Sequence, residues 1–389
     1  MTPGARVQAA IEVLDRVLAG APAERELTGW ARRGRYAGAK DRAAVRDHVF
    51  DALRRLRSAA WTGGLGAARP EEMDARAVVA GLLAGRGTDL QPLFDGAVHS
   101  PAPIVLPDVG TPPRAVALDI PDWLLPRFEA SLGDRTDEVL SVMRDRAPVD
   151  LRVNLAQTDQ AAVQAALAEM GVSATSLPEA PTALRIEIAP RGLTRCPAFA
   201  KGLFDLQDAG SQMLVDRLPL SPGERILDLC AGGGGKTLAM AGRGAAHLFA
   251  HDAAPERMRD LPARAARAGA EVALLETPED HAPFDGIVAD VPCSGSGSWR
   301  RAPEAKWRLT PDRLVALTAI QSDILKRAVR LVRPGGWVAY MTCSLLDEEN
   351  AATADAILAA RDDLRLERRW STGPDAGTDG FHLSLLRRD

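Results

Sequence analysis

The feature that most limits the fold is a regular alternation of strand-like and helix-like segments from about residue 207 to the end. The strand-like runs are Ile226–Leu229, Leu248–His251, Val272–Leu275, Gly286–Ala289, Trp337–Met341, Leu364–Arg368 and His382–Leu386. Between them, apolar residues at helical spacing, such as Leu314, Leu317 and Leu325, indicate helices. This alternation predicts an α/β domain with a mostly parallel, Rossmann-like sheet. Ligands of such sheets bind beyond the carboxyl ends of the strands, so functional residues are expected there.

The residues before 207 predict two further domains. Residues 1–140 show helical spacing, for example at Val7, Ile11 and Leu14, and a Pro-rich connection spans about residues 96–122. Residues 148–205 hold two alternating stretches, PVDLRVNL and ALRIEIAP, on either side of a helix-like stretch, which is typical of a small α/β unit. The predicted organisation is an all-helical domain at 1–140, a small α/β subdomain at 141–206 and the Rossmann-like domain at 207–389.

Composition excludes several classes of protein. The chain has no run of 18 apolar residues, so no membrane span is predicted, and its N-terminus does not resemble a signal peptide. No CxxC pair occurs among its four cysteines, so neither a zinc site nor a disulfide framework is predicted. We therefore expect a cytoplasmic protein with reduced thiols, no metal and no membrane partner. We also expect a monomer.

The charge distribution leaves the role of the N-terminal helices open. The net charge of −4 does not by itself indicate a nucleic-acid-binding protein. Residues 1–57 nevertheless hold twelve Arg or Lys against seven Asp or Glu, a local charge of +5. A basic face of this kind can follow the phosphates of a nucleic acid. It can equally be an ordinary solvated helical surface.

A glycine-rich loop, CAGGGGKT at 230–237, joins the first predicted strand of the Rossmann-like domain to a helix. Glycines let the backbone approach a ligand, and the helix N-terminus favours an anionic group. A P-loop would need a glycine where Cys230 stands, and a dinucleotide loop would need one at Thr237 or Leu238, so neither pattern fits. S-adenosylmethionine is the third option, with Asp252, 24 residues after Asp228, as a carboxylate for its ribose. An acid at this spacing suits a nucleotide ribose in general, so Asp252 does not decide the cofactor.

Two cysteines follow neighbouring strands of the predicted sheet. Cys293 comes after the fourth strand in DVPCSG, and Cys343 comes after the fifth in TCS, so both can face one cleft. A single cysteine in such a place is usually a small buried hydrophobic residue, but two beside a cofactor loop favour chemistry. A thiolate that adds to C6 of cytosine makes C5 nucleophilic enough to accept a methyl group. Asp290 is placed to hold the edge of the ring.

These motifs resemble those of one family, the RsmB (Sun or Fmu) group of RNA cytosine-5 methyltransferases. The family's DLCAAPGGKT corresponds to DLCAGGGGKT at 228–237, and its DAPCSGxG to DVPCSGSG at 290–297. Its RRxPxxKW corresponds to residues 300–307, and its TCSxxxEEN to residues 342–350. The stretch AKDRAAVRDHVFDALRR at 39–55 is similar to the NusB-like RNA-binding domain of RsmB members.

The resemblance implies an enzyme that transfers a methyl group from S-adenosylmethionine to C5 of a cytosine in RNA, with 16S ribosomal RNA as the implied substrate. It implies that Cys343 is the nucleophile, that Cys293 releases the product and that Asp290 holds the cytosine. The cofactor is expected against Cys230, Ala231, Gly232, Gly233, Gly234, Gly235, Lys236, Asp252, Arg257 and Asp290. Because they follow Cys293 closely and are interleaved with tryptophans, the residues predicted to contact RNA are Arg300, Arg301 and Lys306.

The sequence departs from the family pattern in two places. Gly232 and Gly233 stand where the family has Ala and Pro, and residues 274–280 do not show which acid would lie near the adenine. Two alternatives therefore stay open: a tRNA cytosine-5 methyltransferase, and an RNA-binding ribosome assembly factor whose methylation site has decayed. An ATPase is disfavoured by the incomplete P-loop.

Overall fold

The computed structural model describes residues 1–187, 192–244 and 247–389. The chain divides into two compact units. One unit contains residues 1–146 together with 299–309, and the other contains residues 147–298 together with 310–389. We call them the helical unit and the sheet unit.

Helices make up the helical unit, as the apolar periodicity predicted. Thr2 caps the first helix by accepting a hydrogen bond from the Ala5 amide, and Asp74 caps the fifth in the same way. The first, third and fifth helices share an apolar core that includes Leu14, Val45 and Val78, all of which are fully buried. The helices before residue 146 are α1 (Pro3–Leu18), α2 (Ala23–Arg33), α3 (Ala39–Arg54), α4 (Leu56–Thr62), α5 (Ala75–Ala84), α6 (Arg114–Ala117), α7 (Leu125–Leu132) and α8 (Thr136–Val142).

The sheet unit begins with a small antiparallel sheet. Within the described ranges it has the strand order β2-β3-β1-β4, where β1 is Val149–Val153, β2 is Ala174–Leu177, β3 is Ala180–Ile186 and β4 is Phe204–Leu206. The helix α9 (Gln160–Ala168) packs against it through Val163 and Leu167, and the short α10 (Pro197–Ala200) follows. Strand β1 falls within PVDLRVNL, whereas β3 begins three residues before ALRIEIAP and overlaps its first four residues. The last three residues of ALRIEIAP, 188–190, lie outside the described residues.

A larger, mixed sheet forms the rest of this unit and has the predicted α/β pattern. In the described part of the chain its order is β10-β11-β9-β8-β5-β6-β7. The pairs among β5 to β9 are parallel, and β11 joins β9 and β10 antiparallel. The strands are β5 (Arg225–Asp228), β6 (His247–Ala250), β7 (Val272–Leu274), β8 (Phe284–Asp290), β9 (Val332–Thr342), β10 (Leu364–Thr372) and β11 (Phe381–Arg388). The helices are α11 (Ala209–Asp216), α12 (Gly235–Ala241), α13 (Leu261–Ala268), α14 (Pro303–Arg308), α15 (Pro311–Leu331) and α16 (Ala351–Ala359), of which α14 belongs to the helical unit.

Strand order brings three chain segments to the same edge of this sheet. Strand β5 lies between β8 and β6, and β8 lies beside β9. Because these strands are parallel, the loops that follow β5, β8 and β9 emerge together at their carboxyl ends. The glycine loop, Cys293 and Cys343 are on those three loops. Among the described residues, no helix is both long and apolar enough to cross a membrane.

Residues 299–309 lie within the sequence of the Rossmann-like domain but pack inside the helical unit. Trp299 is 2% exposed, and its ring meets Phe128 edge to face at 6.0 Å. The Trp307 indole donates to the Leu53 carbonyl at 2.8 Å. Glu304 accepts from the Ala23 amide at 2.9 Å, at the start of α2. The sequence prediction, which placed the helical domain at 1–140, did not include this segment.

Candidate active site

Backbone geometry explains the glycines of the loop between β5 and α12. Gly234 has a φ of +79° at the start of α12, and a Cβ there would lie 2.1 Å from Leu261 Cδ1. Gly232 has a φ of +50°. Both positions therefore favour glycine for conformation, and Gly234 also favours it for space. The turn leaves Gly233 exposed and brings the amide ends of α12 to the carboxyl edge of β5.

Asp252, after β6, holds the middle of this loop. Its carboxylate accepts hydrogen bonds from the Gly232 and Ala254 amides, both at 2.9 Å. The Arg257 guanidinium lies 3.2 Å from the same carboxylate, and its own side chain is 58% exposed. The structure thus brings together Asp252, Arg257 and the glycine loop, as the sequence predicted. Asp252 is buried, and both of its carboxylate oxygens already accept main-chain hydrogen bonds. A ribose hydroxyl would add a further donor to the same oxygens.

Asp228 and Cys230 form the floor under the loop. One oxygen of Asp228 accepts from the Thr237 hydroxyl at 2.6 Å, and the other is buried without a hydrogen-bond partner among the described residues. Burial raises the pKa of Asp228 to about 6 and also raises the pKa of the Cys230 thiol. A buried acceptor oxygen with no donor costs free energy, so this position suits a ligand that supplies an N–H group. The ammonium group of a bound amino-acid moiety is such a donor.

An ion pair lies between the glycine loop and the cysteine loops. The Lys236 ammonium donates to Asp290 at 2.6 Å, and the side chains are 11% and 32% exposed. Burial alone would lower the pKa of Lys236, but the Asp290 carboxylate outweighs it and the pKa is raised. Lys236 is therefore a permanent positive charge at the carboxyl edge of β8, where Asp290 ends the strand.

The two cysteines meet at this edge. Their sulfur atoms are 3.4 Å apart, within hydrogen-bonding reach of each other. The hydrogen bond from Cys293 lowers the pKa of Cys343, and the Lys236 cation acts in the same direction. The same hydrogen bond, together with burial and the Glu349 carboxylate, raises the pKa of Cys293. The arrangement therefore favours a thiolate at Cys343 and a thiol at Cys293.

Glu349 joins the two cysteine loops and was not predicted as a site residue. Its fully buried carboxylate accepts from the Ser294 amide at 2.7 Å, the Ser344 hydroxyl at 2.6 Å and the Gln321 amide at 2.9 Å. Ser294 directly follows Cys293, and Ser344 directly follows Cys343. One carboxylate thus fixes both loops. The available signal was its place in TCSLLDEEN, since a carboxylate near the end of a strand with serines nearby can organise a loop.

The predicted RNA contacts are differently placed. Arg300 and Lys306 are 3% and 5% exposed inside the helical unit, and Lys306 donates to the Arg54 carbonyl at 3.3 Å. Burial lowers the pKa of Lys306 to about 8. Side chains this deeply buried are not available to phosphates, which corrects the expectation for these two residues. Arg301 is exposed, and its contact with RNA stays a prediction. In the part of the chain described, no cluster of three or more His, Cys, Asp or Glu could hold a metal ion.

Comparison with known families decides where this site belongs. Residues 215–385 match the family model described as 16S rRNA methyltransferase RsmB/F, and residues 120–191 match the ferredoxin-like domain of RsmF/B-like proteins. Together the two matches cover more than half of the chain. The chain belongs to the RsmB/F family. The cofactor of this family is S-adenosylmethionine.

Relatives within the family include the probable ribosomal RNA small subunit methyltransferase B of Synechocystis, which is 33% identical over 279 residues. That match covers 68% of this chain and 62% of the relative. The ribosomal RNA small subunit methyltransferase B of Klebsiella pneumoniae is 33% identical over 288 residues, covering 69% and 66%. The chain thus spans slightly less than two thirds of the length of these relatives.

Two solved structures share the fold. The crystal structure of PH0851 superposes with a TM-score of 0.77 at 23% identity, covering all of this chain and 99% of the other. A methyltransferase homologue from Pyrococcus horikoshii superposes with a TM-score of 0.62 at 24% identity, covering 71% of this chain and 97% of the other. At these identities the likeness establishes the fold alone.

Proposed function

We propose that this chain methylates C5 of a cytosine in small-subunit ribosomal RNA, with S-adenosylmethionine as the methyl donor and a covalent adduct to Cys343. The observation that carries the proposal is the 3.4 Å approach of the Cys293 and Cys343 sulfurs beside the Lys236–Asp290 ion pair. A thiolate, a neighbouring thiol and a charged pair that can orient a base are the groups that this chemistry requires.

We assign the nucleophile to Cys343 because the Lys236 cation acts on its sulfur, whereas the Glu349 carboxylate acts on Cys293. Cys343 has the lowered pKa, so its sulfur is the better thiolate, and it adds to C6 of the cytosine. The new S–C6 bond removes the aromaticity of the ring and leaves electron density at C5. That carbon can then take the methyl group. Asp290 is placed to accept from the 4-amino group, and Lys236 supplies positive charge close to the ring.

Product release requires a proton to leave C5. Loss of that proton restores the C5–C6 double bond, and Cys343 departs as a thiolate. Cys293 lies next to Cys343: after giving its own proton to solvent water, the Cys293 thiolate takes the C5 proton, directly or through a water molecule, and is a thiol again when Cys343 leaves. Glu349 holds both cysteine loops through Ser294 and Ser344 and acts as a positioning residue.

The cofactor is held by this chain's own groups. We place its methionine part against the loop 231–235, with the ammonium on the buried, unpartnered oxygen of Asp228. Asp252 and Arg257, which form an ion pair, are the groups that we propose beside its ribose. When bound, S-adenosylmethionine supplies an electrophilic methyl group.

The substrate is proposed from the relatives' names, which specify ribosomal RNA of the small subunit. Bisulfite sequencing of cellular RNA, with and without the gene, tests it directly. A protected cytosine in 16S rRNA that disappears with the gene is expected. A protected cytosine in tRNA instead would favour the tRNA alternative, and no change in any RNA would favour an assembly factor without activity.

The two cysteines should fail in different ways, which tests the mechanism. Cys343→Ala should bind RNA and cofactor but form neither methylated product nor a covalent complex. Cys293→Ala should still form the adduct and transfer the methyl group, then release the product slowly. It should therefore accumulate an enzyme–RNA complex that survives a denaturing gel when S-adenosylmethionine is present. Displacing the target base from its stack costs a few kcal/mol. A cytosine in an unpaired loop should therefore form the covalent enzyme–RNA complex most readily.

Two results would contradict these roles. An adduct that forms with Cys343→Ala but not with Cys293→Ala would show that Cys293 is the nucleophile and Cys343 the residue that releases the product. Identical behaviour of the two variants would show that the two cysteines do not have different roles. Cys196→Ala is the matched control, because Cys196 precedes α10 in the apolar core beside the small sheet and its loss should leave turnover unchanged.

A further inference from the structure

The helical unit presents one tyrosine to solvent. Tyr36 is 74% exposed, whereas the other tyrosine of the chain, Tyr340, is fully buried. Tyr36 stands on the tight turn between α2 and α3, which the Ala37 amide closes by donating to the Gly34 carbonyl at 3.0 Å. A Cβ at position 34 would lie 3.7 Å from Tyr36 Cζ, so the hydroxyl end of the ring rests over Gly34. Most of the ring surface remains open.

Concave surfaces adjoin this ring. One has a volume of about 220 Å³ and includes Trp30 and Val13 as its apolar floor. Its polar lining comes from Arg16, Arg33 and Glu12. A larger one, of about 940 Å³, is bordered by Tyr36 on one side and by residues 98–102 on the other. The tyrosine therefore forms a wall shared by two depressions, a shape that an extended chain can follow with one group stacked on the ring.

Positive charge surrounds the same turn. Arg32, Arg33 and Arg35 are exposed, and in the described ranges none of them forms an ion pair. Arg16 has a partner, Glu26, at 3.3 Å. Arginines in the last turn of α2 are favoured by the helix dipole, which accounts for the position of Arg32 and Arg33. The dipole accounts for neither Arg35 nor the exposed tyrosine.

We infer that this surface, which we call the Tyr36 site, binds a single-stranded segment of RNA, with one base stacked on Tyr36 and neighbouring phosphates on Arg33 and Arg35. Aromatic faces next to arginines are what single-stranded nucleic acids require, because bases stack on the ring and the cations follow the backbone. The inference rests on the RNA substrate proposed above and deepens it by assigning a second contact surface. Stacking is tolerant of sequence, so no base preference is expected at this site.

Charge decides between RNA and other occupants. The arginines, together with the local +5 of residues 1–57, complement a polyanion. An apolar partner surface would leave three arginines without counter-charges in the interface. A second copy of the chain would bring the same arginines into proximity, which like-charge repulsion opposes.

The experiment measures the affinity of the full-length chain for a fluorescein-labelled, single-stranded 12-nucleotide uridine RNA by anisotropy. Tyr36→Ala should weaken binding by about tenfold, the loss of one stacked base. Tyr36→Phe and Tyr36→Trp should bind like the parent, because they keep an aromatic face. Arg33→Gln and Arg35→Gln should each reduce the slope of log Kd against log salt by about 0.7, the value for one phosphate contact on a single strand. RNA that carries 5-iodouridine should crosslink to Tyr36 on irradiation.

The matched control for charge is Arg69→Gln. Arg69 is exposed on the same unit but already pairs with Glu71 and Glu72, so the salt slope should not change. Thermal unfolding of each variant should match the parent, since Tyr36 is exposed. Affinity that is unaffected by Tyr36→Ala, or a crosslink elsewhere only, would overturn the inference. So would an effect of Tyr36→Ala on self-association without an effect on RNA binding.

The outcomes separate this inference from the proposed function. Arg69→Gln should methylate at the parental rate, whereas Tyr36→Ala should need about tenfold more RNA for half-maximal methylation. If Tyr36→Ala leaves RNA affinity unchanged and the parent chain methylates RNA, the Tyr36 site is refuted and the proposed function stands. If Tyr36→Ala weakens RNA affinity but the parent chain does not methylate RNA, the Tyr36 site stands and the proposed function is refuted.

Discussion

Asp252 shows how one side chain serves both the loop and the ligand. Its carboxylate fixes the Gly232 amide and stands beside Arg257, so its loss affects the cofactor site directly. Asp252→Ala should weaken S-adenosylmethionine binding at least about tenfold, since hydrogen bonds to a charged group contribute about 1.5–3 kcal/mol. RNA affinity should stay nearly unchanged. Isothermal titration calorimetry with the cofactor measures the effect, and Asp260→Ala, an exposed acid close by, is the control. Equal affinity for both variants would contradict the assignment.

Lys306 gives a prediction about stability and pH. Its pKa is about 8 in the folded chain, below the ordinary 10.5, because burial disfavours the ammonium. Below pH 8 the lysine is charged in both the folded and the unfolded state, so folding carries the full free-energy cost of burying the ammonium. Between pH 8 and 10.5 the folded state loses its proton first, so the cost disappears and stability rises with pH.

Lys306→Met should therefore stabilise the chain at pH 7. We expect a gain of about 2 kcal/mol, the burial cost less one hydrogen bond to the Arg54 carbonyl. The gain should shrink towards zero near pH 10. Urea unfolding of parent and variant across this range measures it, with Lys326→Met, an exposed lysine, as the control. A difference between parent and variant that does not change with pH would refute the explanation.

At this scale the sequence identified the residues that lie in contiguous motifs. Cys293, Cys343 and Asp290 were expected together because neighbouring parallel strands end at one edge, and the structure places them there. Glu349 was missed because its partners come from three separate segments, and no local pattern shows that four donors converge on one carboxylate. Lys306 was misjudged because a charged residue in a basic stretch reads as exposed, whereas packing with distant parts of the chain buries it.

Among the elements, the turn from β5 into α12 depends most on a single backbone conformation. Gly234→Ala forces a left-handed φ on an L-residue and sets a Cβ against Leu261. We expect a loss of about 2–4 kcal/mol of stability, the sum of the conformational cost and the steric clash. Chemical denaturation measures it, and cofactor affinity should fall as well. Gly233→Ala is the control, because its φ is not left-handed and its only close neighbour is the end of the Arg264 side chain, so a change within about 1 kcal/mol is expected.

The strands of the large sheet illustrate what periodicity can and cannot predict. All seven apolar runs fall on strands, and β5, β6 and β7 end within one residue of the prediction. Strand β9 begins five residues earlier than expected because its first residues, Val332–Gly336, combine Pro, Gly and Arg and have no strand pattern. Strands β2 and β4 were missed for a related reason. They are short, and β4 pairs with β1 across some fifty residues of chain, a pairing that no local signal specifies.

At the scale of the molecule, the segment 299–309 changes what a truncation should do. The domain bounds predicted from the sequence imply that a chain without residues 1–140 keeps an independent catalytic core. The segment would then lose the Leu53 and Arg54 carbonyls that Trp307 and Lys306 bind, and Trp299 would lose Phe128. The truncated chain should therefore expose two tryptophans and be prone to aggregation. Tryptophan emission shifted to the red and binding of a hydrophobic dye measure this.

A second truncation tests the cause. Residues 299–309 replaced by a Gly/Ser linker of equal length, in the chain that lacks 1–140, should restore solubility and cofactor binding. RNA affinity should stay low in both truncated chains, because the basic residues of 1–57 are gone. A simple truncation that is soluble, with unchanged tryptophan emission, would show that the segment does not depend on the helical unit.

The inclusion of residues 299–309 in the helical unit also sets an order of events on the ribosome. The helices before residue 146 leave the exit tunnel long before Trp299 is synthesised. At roughly 5–20 residues per second, the delay between the two is about 8–30 s. During that interval the cleft that will receive the two tryptophans is open and apolar, and nascent-chain chaperones can occupy it. The packing of the N-terminal helices is therefore completed only when this segment has been made. A chain that stops before residue 299 therefore lacks part of the packing of its helical unit.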